Sequence, residues 1–446
     1  MVSVTNESRD AADRQERSAV YGKGTASSVI GTALEYYDFA IYGLAAATVF
    51  NQLFFPGSDP AVGLIASLAT YAVGFAARPI GGLILGGLGD KIGRKYILYI
   101  TILLMGISTF CIGLLPTYAH IGIWAPLLLV LLRVLQGFGA GAELASASTL
   151  LVESAPRNQR GFVGSFLSIG SNTGTLIAST VWLAVSMLPS EQLLTWGWRL
   201  PFLASLFVAM WGLYIRRGVK ESPAFSTVAE RQSKATLKEI YRGVFGPGRG
   251  AFVRCLGLRI GEVGPSMIFQ VFLIGYIANL PNASKTTGTL GLVLASVFCY
   301  FTIPVVGKLC DRFGRRLVHM SLTGLLILFA VPAFAMVSTG NPILITLSFM
   351  LGFGVSIMGM YVIESPWMAE MFGSRYRLAG VTASKEIGSL IGGAFAPFIC
   401  AALVARYGSW WPVAIYVILL AAISLISAFL SPETKERDLI LDHDAV

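Results

Sequence analysis

Charged residues are scarce in this chain of 446 residues. They make up 13% of it, 55% of the residues are hydrophobic, and the mean hydropathy is +0.70. A soluble globular domain carries about 25% charged residues, so the composition favours a membrane protein. The net charge of +9 does not indicate nucleic-acid binding, because the basic residues cluster in short connections between apolar runs.

Residues that typically build enzyme and metal sites are also few. The five cysteines are scattered, without the spacing of a metal site or a disulfide framework. Three histidines, His120, His319 and His443, all fall away from the predicted mid-membrane level. A Walker-type loop is absent, and the first 20 residues are polar, unlike a cleaved signal peptide. The sequence therefore predicts no catalytic residue, no metal and no cofactor.

Long apolar runs make up most of the remaining chain. Crossing about 30 Å of hydrocarbon takes about 20 helical residues, and lipid offers backbone groups no partner outside a helix. The sequence predicts an all-α membrane protein with twelve transmembrane helices. The predicted helices are 25–50, 61–88, 96–115, 123–152, 162–187, 198–216, 251–279, 287–307, 317–337, 342–370, 378–404 and 412–430.

Basic residues predict the orientation. One set of connections holds nearly all Lys and Arg, while the opposite set holds essentially Lys285 and Arg406. By the positive-inside rule both termini are cytoplasmic. The predicted organisation is an N-terminal tail (1–24), a six-helix bundle (25–216), a cytoplasmic central loop (217–250), a second six-helix bundle (251–430) and a C-terminal tail (431–446).

Two markers repeat along the chain. Segment 86–95 reads GGLGDKIGRK and segment 307–316 reads GKLCDRFGRR. Both fit the pattern G-x3-D-[KR]-x-G-[RK]-[RK], with a spacing of 221 positions. Segments 153–160 and 370–377 both begin with Glu and end with Arg, 217 positions apart. Such a duplication predicts a substrate site at the midplane between parallel halves.

These motifs resemble those of the major facilitator superfamily. Segment 135–141 (LQGFGAG) is similar to the family's helix 4 pattern. Segments 32–43 (TALEYYDFAIYG) and 221–225 (ESPAF) resemble the metabolite:proton symporter branch, and 152–156 (VESAP) is similar to its shikimate-transporter group. The resemblance implies two pseudo-symmetric six-helix bundles and proton-coupled import of small carboxylates or zwitterions.

Two stretches depart from these relatives. Segment 384–386 reads SKE where the shikimate group resembles GYQ, which leaves the substrate open. The tail after Pro432 is short and lacks the coiled-coil extension of the osmosensing betaine and proline carriers. The sequence therefore does not favour an osmosensor.

Charged residues inside predicted helices are the candidate binding site, because such a charge costs at least about 2.5–3.5 kcal/mol at the helix centre. A mid-membrane guanidinium can hold a carboxylate at two points. The alternative is a structural ion pair: Arg133 with Glu35 or Asp38, and Lys385 with Glu364. The predicted substrate contacts are Arg133, Gln136, Arg78, Lys385 and Tyr37.

Carboxylates are the candidates for proton coupling, since no histidine is expected at mid-membrane. Glu35 and Asp38 are three apart and can share a helix face, where one of two close carboxylates can hold a proton. The alternative is neutralisation by a neighbouring Arg. The predicted coupling residues are Glu35, Asp38, Glu143 and Glu262. Lys385 and Glu386 are adjacent, so only one is expected to face a cavity.

The repeated basic loops predict a cytoplasmic gate. An Asp there can accept hydrogen bonds from the N-terminus of a facing helix, and Asp90 is expected to act more strongly than Asp311. The alternative is that the basic residues only set topology. The predicted gating residues are Asp90, Arg94, Asp311, Arg315, Glu153, Arg160, Glu370 and Arg377.

These observations predict an inner-membrane importer of a small organic acid. It works by proton symport with alternating access, is driven by the proton gradient and acts as a monomer in lipid. An exporter is disfavoured, because segment 170–176 (GSNTGTL) has no proline where superfamily antiporters have one. A uniporter would need no titrating carboxylates. Nothing in the sequence supports a membrane enzyme or sensor.

Overall fold

The described part of the chain is helical apart from short connections. The computed structural model describes residues 29–57, 59–92, 94–141, 148–149, 151–153, 155–217 and 237–445. Among these, the side chains of 83, 86–98, 208, 211–217, 237–238 and 240 are outside the description. The structural statements below concern the residues so described.

Twelve long helices run through the described ranges, as the sequence predicts. They are α1 (29–48), α2 (Pro60–Ile92), α3 (Arg94–Leu114), α4 (Trp124–Ala140), α5 (Arg160–Ser186), α6 (Arg199–Arg217), α7 (Arg249–Ala278), α8 (Thr287–Phe313), α9 (Arg315–Ser338), α10 (Pro342–Met371), α11 (Arg377–Tyr407) and α12 (Trp411–Leu430). Residues 148–149 and 151–153, after α4, are also helical. A short helix, Leu237–Phe245, precedes α7.

Seven of the described helices are long and apolar enough to cross a membrane. These are α2 as far as Gly82 and all six helices from α7 to α12. In contrast, α1 buries the carboxylates of Glu35 and Asp38, and α5 buries polar side chains such as Asn172. The less apolar helices therefore turn their polar groups toward the protein interior rather than toward lipid.

Local sequence explains where two of the helices begin. Gly314 separates α8 from α9 with φ of 95°, a left-handed conformation that glycine adopts without a steric penalty. At the start of α10, the side chain of Asn341 accepts hydrogen bonds from the backbone amides of Ile343 and Leu344, and Pro342 follows it. Asn before Pro is a favourable helix start, because proline needs no amide partner there.

Wider π-helical turns interrupt three helices of the second half. They cover Ile268–Phe272 in α7, Met350–Ile357 in α10 and Ser389–Ala394 in α11. Such turns are rare and frequently lie at functional sites. Each of these three contributes a residue to the central cavity described below.

We refer to α1–α6 as the first half and to α7–α12 as the second half; the predicted bundle limits stay a prediction. Helix α5 packs along α8 across the boundary between the halves. A Cβ atom added to Gly307 would lie 3.1 Å from the carbonyl oxygen of Gly161, so the two backbones approach closely. Glycine permits this approach because it has no side chain.

The halves meet at both ends of the molecule. We call the end that holds Asp311 and Arg377 the basic end, and the end that holds Ala47 and Gly275 the opposite end. At the opposite end, a Cβ atom added to Gly275 would lie 2.6 Å from the carbonyl oxygen of Ala47. The two halves are therefore in contact on both sides of the space between them.

Candidate functional site

A cavity lies between the two halves. Its empty space of about 910 Å³ includes volume that is open to solvent. Helices α1, α2 and α5 of the first half and α7, α8, α10 and α11 of the second line it. The charged lining residues are Glu35, Arg78, Arg259, Glu262, Lys385 and Glu386.

Arg78 on α2 connects the two halves through two carboxylates. Its Nε and Nη2 atoms donate to Glu386 on α11 at 2.9 and 3.2 Å, and Nη2 lies 2.7 Å from Glu35 on α1. The rings of Phe39 and Phe75 flank the guanidinium, with centroids 5.0 and 5.5 Å away. Removing one member of a buried ion pair typically costs about 3–5 kcal/mol, so this cluster depends on all of its charges.

Arg259 on α7 forms a second cluster of the same composition. It pairs with Glu262 one turn along α7, and its Nη1 atom lies 3.3 Å from Glu364 on α10. Its Nε atom donates to Ser389 on α11 at 3.0 Å. Arg259 is therefore neutralised by Glu262, with Glu364 as a further partner.

Lys385 and Glu386 both line the cavity, although only one was expected to face it. The expectation was wrong because the cavity borders both side chains even though their partners differ: Glu386 meets Arg78, whereas the Lys385 amine donates to Ser148, beyond α4, at 3.3 Å. Glu364, the expected structural partner of Lys385, contacts Arg259. Two adjacent residues thus bridge to the first half in different directions.

Two tyrosines close the cavity between the clusters. The hydroxyl of Tyr36 on α1 donates to the hydroxyl of Tyr361 on α10 at 3.0 Å, with the ring centroids 6.2 Å apart. Both side chains line the cavity. The pair joins the halves through one neutral hydrogen bond, which a modest rearrangement can break.

The structure places Arg133 outside the described cavity lining. Its Nη2 atom donates to the carbonyl oxygen of Tyr71 at 3.3 Å, and its Nη1 atom donates to Gln136. The Tyr42 ring lies 3.9 Å from the guanidinium carbon. The predicted substrate contacts Arg133 and Gln136 are thus held inside the first half. The predicted contact Tyr37 also lies away from the lining and donates to the carbonyl oxygen of Pro201 at 2.8 Å.

Asp38 faces a smaller side cavity within the first half. Helices α1, α3 and α6 line this space, and Glu35 borders both cavities. Asp38 is hydrogen-bonded to Thr109, which also accepts a bond from Gln136 at 2.8 Å. A chain of hydrogen bonds through Thr109 and Gln136 therefore links Asp38 to the guanidinium of Arg133. Glu143, another predicted coupling residue, lies outside the described residues.

At the basic end, Asp311 joins α8 to the start of α5. Its two carboxylate oxygens accept hydrogen bonds from the backbone amides of Gly161 and Phe162 at 2.7 and 2.8 Å. Arg315 contacts the same carboxylate at 3.1 Å. A carboxylate at a helix N-terminus satisfies free amides and interacts favourably with the helix dipole.

Further ion pairs at the basic end involve α9, α10 and α11 of the second half. Arg315 donates to both oxygens of Glu370 at 3.1 and 3.0 Å, and Arg160 lies 3.8 Å from Glu370. Arg377 donates to Glu153 at 2.7 Å, from the second half to the first. The structure brings six of the eight predicted gating residues together. The side chains of Asp90 and Arg94, the other two, lie outside the description.

The sequence analysis missed the contribution of the C-terminal segment. It assigned no contacts to residues 431–445, yet the hydroxyl of Thr434 donates to Glu370 at 2.6 Å and the carbonyl oxygen of Leu439 accepts from Arg377 at 2.6 Å. Acidic residues interspersed among basic ones after Pro432 were the available signal. Among residues whose placement is described, no group of three or more His, Cys, Asp or Glu is arranged to hold a metal ion.

Comparisons with known proteins agree with this architecture. The family description "Sugar (and other) transporter" matches residues 25–246, and "Major Facilitator Superfamily" matches residues 260–440. The shikimate transporter of Escherichia coli is 37% identical over 92% of this chain and 94% of its own. The glycine betaine/proline/ectoine/pipecolic acid transporter OusA of Dickeya dadantii is 35% identical, over 94% and 84%.

Solved structures give the same fold. The proton:xylose symporter XylE, solved with 6-bromo-6-deoxy-D-glucose, superposes with a TM-score of 0.73 at 18% identity, over 95% of this chain and 98% of that one. At a sequence identity this low, the superposition shows a shared fold alone. Together with the sequence relatives, the comparisons confirm the predicted resemblance: the chain belongs to the major facilitator superfamily of multi-pass membrane transporters, in the group that includes the shikimate and betaine carriers.

Proposed function

We propose that this transporter imports a small organic acid together with protons by alternating access. The observation that carries the proposal is the cavity between the halves, where three basic and three acidic side chains converge. Secondary transporters of this kind bind substrate near the midplane between their repeats. The proposed location is the inner membrane, with both termini in the cytoplasm.

The basic side chains of the cavity support a carboxylate substrate. Arg78 offers a planar fork suited to two-point binding, and Lys385 offers a compact positive charge. Both line the cavity and are proposed substrate contacts. We propose an indirect role for Arg133, Gln136 and Tyr37: they hold the helices of the first half in position around the site.

The acidic side chains support proton coupling. Glu35 and Glu262 line the cavity, and Asp38 borders the side cavity beside Glu35. None of the described lining residues is a histidine, so carboxylates are the groups available to take up the proton. Glu35, Asp38 and Glu262 are the proposed coupling residues within the description, and Glu143 is proposed on the sequence alone.

The basic end is the proposed cytoplasmic gate. Asp311, Glu153 and Glu370 hold the halves together there through α5 and Arg377. These bonds must break before substrate can leave on that side, while the cavity residues remain in place. Asp90 and Arg94 keep their proposed gating role from the sequence.

A zwitterion is the second candidate substrate. Equal numbers of acidic and basic side chains line the cavity, and this arrangement suits a molecule that carries both charges. OusA, named for glycine betaine, proline, ectoine and pipecolic acid, is a relative at 35% identity. An ammonium group would then contact a lining carboxylate.

Uptake into proteoliposomes tests the proposal. Purified protein is reconstituted, a pH gradient is imposed, and the uptake of labelled shikimate, 2-oxoglutarate, citrate, proline and glycine betaine is measured. We expect uphill accumulation of at least one acid that collapses when a protonophore dissipates the gradient. Accumulation of the zwitterions alone would select the second candidate. Uptake of every compound to equilibrium only would indicate a uniporter, and accumulation only under a reversed gradient would indicate an exporter.

A further inference from the structure

Glu386 occupies the position that a substrate carboxylate needs. Its carboxylate accepts from two atoms of the Arg78 guanidinium, Nε at 2.9 Å and Nη2 at 3.2 Å, and Nη2 also lies 2.7 Å from Glu35. Two-point pairing is the strongest arrangement for a guanidinium and a carboxylate. A substrate that binds Arg78 in this way must therefore displace Glu386.

A displaced Glu386 would be left as an unpaired carboxylate in a largely apolar space. It is 6% exposed, and an unpaired buried charge is strongly unfavourable. Taking up a proton removes that charge. Seven titratable or charged groups face the cavity around Glu386. They are Glu35 and Tyr36 on α1, Arg78 on α2, Arg259 and Glu262 on α7, Tyr361 on α10 and Lys385 on α11.

We propose that Glu386 acts together with the coupling residues named above: it takes up a symported proton when the substrate carboxylate replaces it on Arg78. The inference rests on the proposed function. One proton joins a carboxylate oxygen of Glu386, its ion pair with Arg78 breaks, and the substrate carboxylate forms an ion pair with Arg78. For a monocarboxylate, one positive and one negative charge enter together, so the cavity keeps its net charge.

The position of Glu386 explains how the exchange is linked to movement. Arg78 is on α2 of the first half and Glu386 on α11 of the second. Breaking this pair removes a charged connection between the halves, whereas the Arg78–Glu35 pair lies within the first half. Glu386 is therefore better placed than Glu35 to couple proton uptake to opening.

The substitution Glu386→Gln tests this role, because the amide resembles the protonated acid. The dissociation constant for an acid that wild-type protein accumulates is measured between pH 5 and 9, with uptake and counterflow in proteoliposomes. Wild-type affinity should fall with rising pH, by up to about tenfold per unit. In the variant the affinity should become independent of pH, and gradient-driven accumulation should be lost while counterflow remains.

The controls separate this role from a structural one. Glu191→Gln, on an exposed residue, should behave like wild type. Glu386→Asp retains a carboxyl group and should keep a pH-dependent affinity. This variant replaces Glu386→Gln as the test if the Gln variant fails to fold. Wild-type pH dependence and accumulation in Glu386→Gln would overturn the inference. If wild-type protein accumulates no acid under a pH gradient, the proposed function itself fails.

An independent observation concerns residues 431–445, which we call the C-terminal strap. The strap is attached to the second half at several points. Glu433 accepts hydrogen bonds from the backbone amides of Arg315 and Arg316, both at 3.0 Å, at the start of α9. The backbone amide of Ala445 donates to the carbonyl oxygen of Met371 at 2.9 Å, at the end of α10.

The strap also contacts the first half. Arg160 at the start of α5 donates to the carbonyl oxygen of Arg437 at 2.7 Å, and Arg157 pairs with Asp438. The backbone amide of Ile440 and the Arg157 guanidinium hold the pKa of Asp438 below its usual value, so this carboxylate stays ionised to lower pH than an ordinary Asp. Leu439 is 7% exposed and packs between Val152 of the first half and Ala369 of the second.

We infer that the strap stabilises the closed state of the basic end. Its attachments to α9 and α10 lie within the second half and need not change when the halves separate. Its contacts with Arg157, Arg160 and Val152 cross the boundary and must break. Opening of the basic end therefore removes Leu439 from its apolar site, and the burial of this side chain favours closure.

Adjacent residues of the strap provide a matched comparison. Leu439 is 7% exposed and Ile440 is 82% exposed. Distances between spin labels at Gln159 and Arg312, one on each half, are measured in Leu439→Ala and Ile440→Ala. Leu439→Ala should move the distribution toward longer distances, and Ile440→Ala should match wild type. Asp438→Asn, a surface change, should give a smaller shift in the same direction. Wild-type distributions in both Leu439→Ala and Asp438→Asn would overturn the inference.

Discussion

The carboxylate of Asp311 accepts hydrogen bonds from the backbone amides of Gly161 and Phe162, which lie 150 and 149 positions earlier in the chain. The first residues of α5 thereby gain a partner from α8 of the other half. Four amides at a helix start lack partners within the helix, so this contact satisfies two of them across the boundary.

Replacing Asp311 with Asn should loosen the basic end. The variant keeps one acceptor oxygen but loses the negative charge at the helix N-terminus, an interaction worth about 0.3–1 kcal/mol and up to about 2 kcal/mol when partly buried. The label distance between Gln159 and Arg312 should broaden, and net uptake should slow. Asp59→Asn is the control: Asp59 accepts from the backbone amide of Ala61 within α2, so distances should stay as in wild type. An unchanged distribution of label distances in Asp311→Asn would show that the loop around Asp311 only sets the membrane topology.

Arg78→Lys should weaken substrate binding more than Arg133→Lys does. A lysine at 78 keeps the charge but loses the planar fork, and Arg78 lines the cavity whereas Arg133 does not. We expect at least a tenfold rise in the dissociation constant for Arg78→Lys, about 1.4 kcal/mol, measured by calorimetry on detergent-solubilised protein. A larger rise in the dissociation constant for Arg133→Lys would identify Arg133, rather than Arg78, as the main substrate contact.

Asp38→Asn should abolish proton-driven accumulation while sparing part of the counterflow. Asp38 is buried beside Glu35 at the side cavity, and an amide cannot take up a proton. Uptake under an imposed pH gradient and exchange without a gradient are compared in proteoliposomes. Thr109→Val removes the hydroxyl bonded to Asp38 but leaves the carboxylate, so coupling should persist. Full uphill uptake in Asp38→Asn would exclude the carboxylate from coupling.

The Glu153–Arg377 pair should contribute little by itself. The Glu153 side chain is 36% exposed, and exposed pairs are worth about 0.2–1 kcal/mol because water screens them. A double-mutant cycle with Glu153→Gln and Arg377→Gln, read from the label distances, should give a coupling within this range. The single change Arg377→Gln should have the larger effect, since Arg377 also donates to the carbonyl oxygen of Leu439 in the strap. A coupling well above this range would show that the pair acts as a main latch.

The sequence predicted the helices well because their cause is local. Apolar runs long enough to span hydrocarbon must be helical in lipid, and the seven described helices that meet this condition include all six of the second half. The resemblance to the superfamily was confirmed by the comparisons. Helix 4 was predicted as 123–152, and the described α4 covers Trp124–Ala140 with helical residues again at 148–149 and 151–153.

The candidate site was only partly predictable. The sequence marked Arg78, Lys385 and Glu262 as membrane charges, and all three line the cavity. It also marked Arg133 as a substrate contact, but the rings of Tyr42 and Phe39 lie against that guanidinium inside the first half. Helical spacing tells which residues share a face of one helix; it does not tell which neighbouring helix that face meets.

The sequence by itself determined that this protein is a helical membrane transporter with a duplicated plan, because composition, run length and repeated motifs are properties of the chain. Only the tertiary structure decided the pairing of charges. Arg78 and Glu386 are 308 positions apart, and the order and rotation of the packed helices bring them together. The same reason applies to residues 431–445, since a polar segment gains a role only from the surfaces against which it folds.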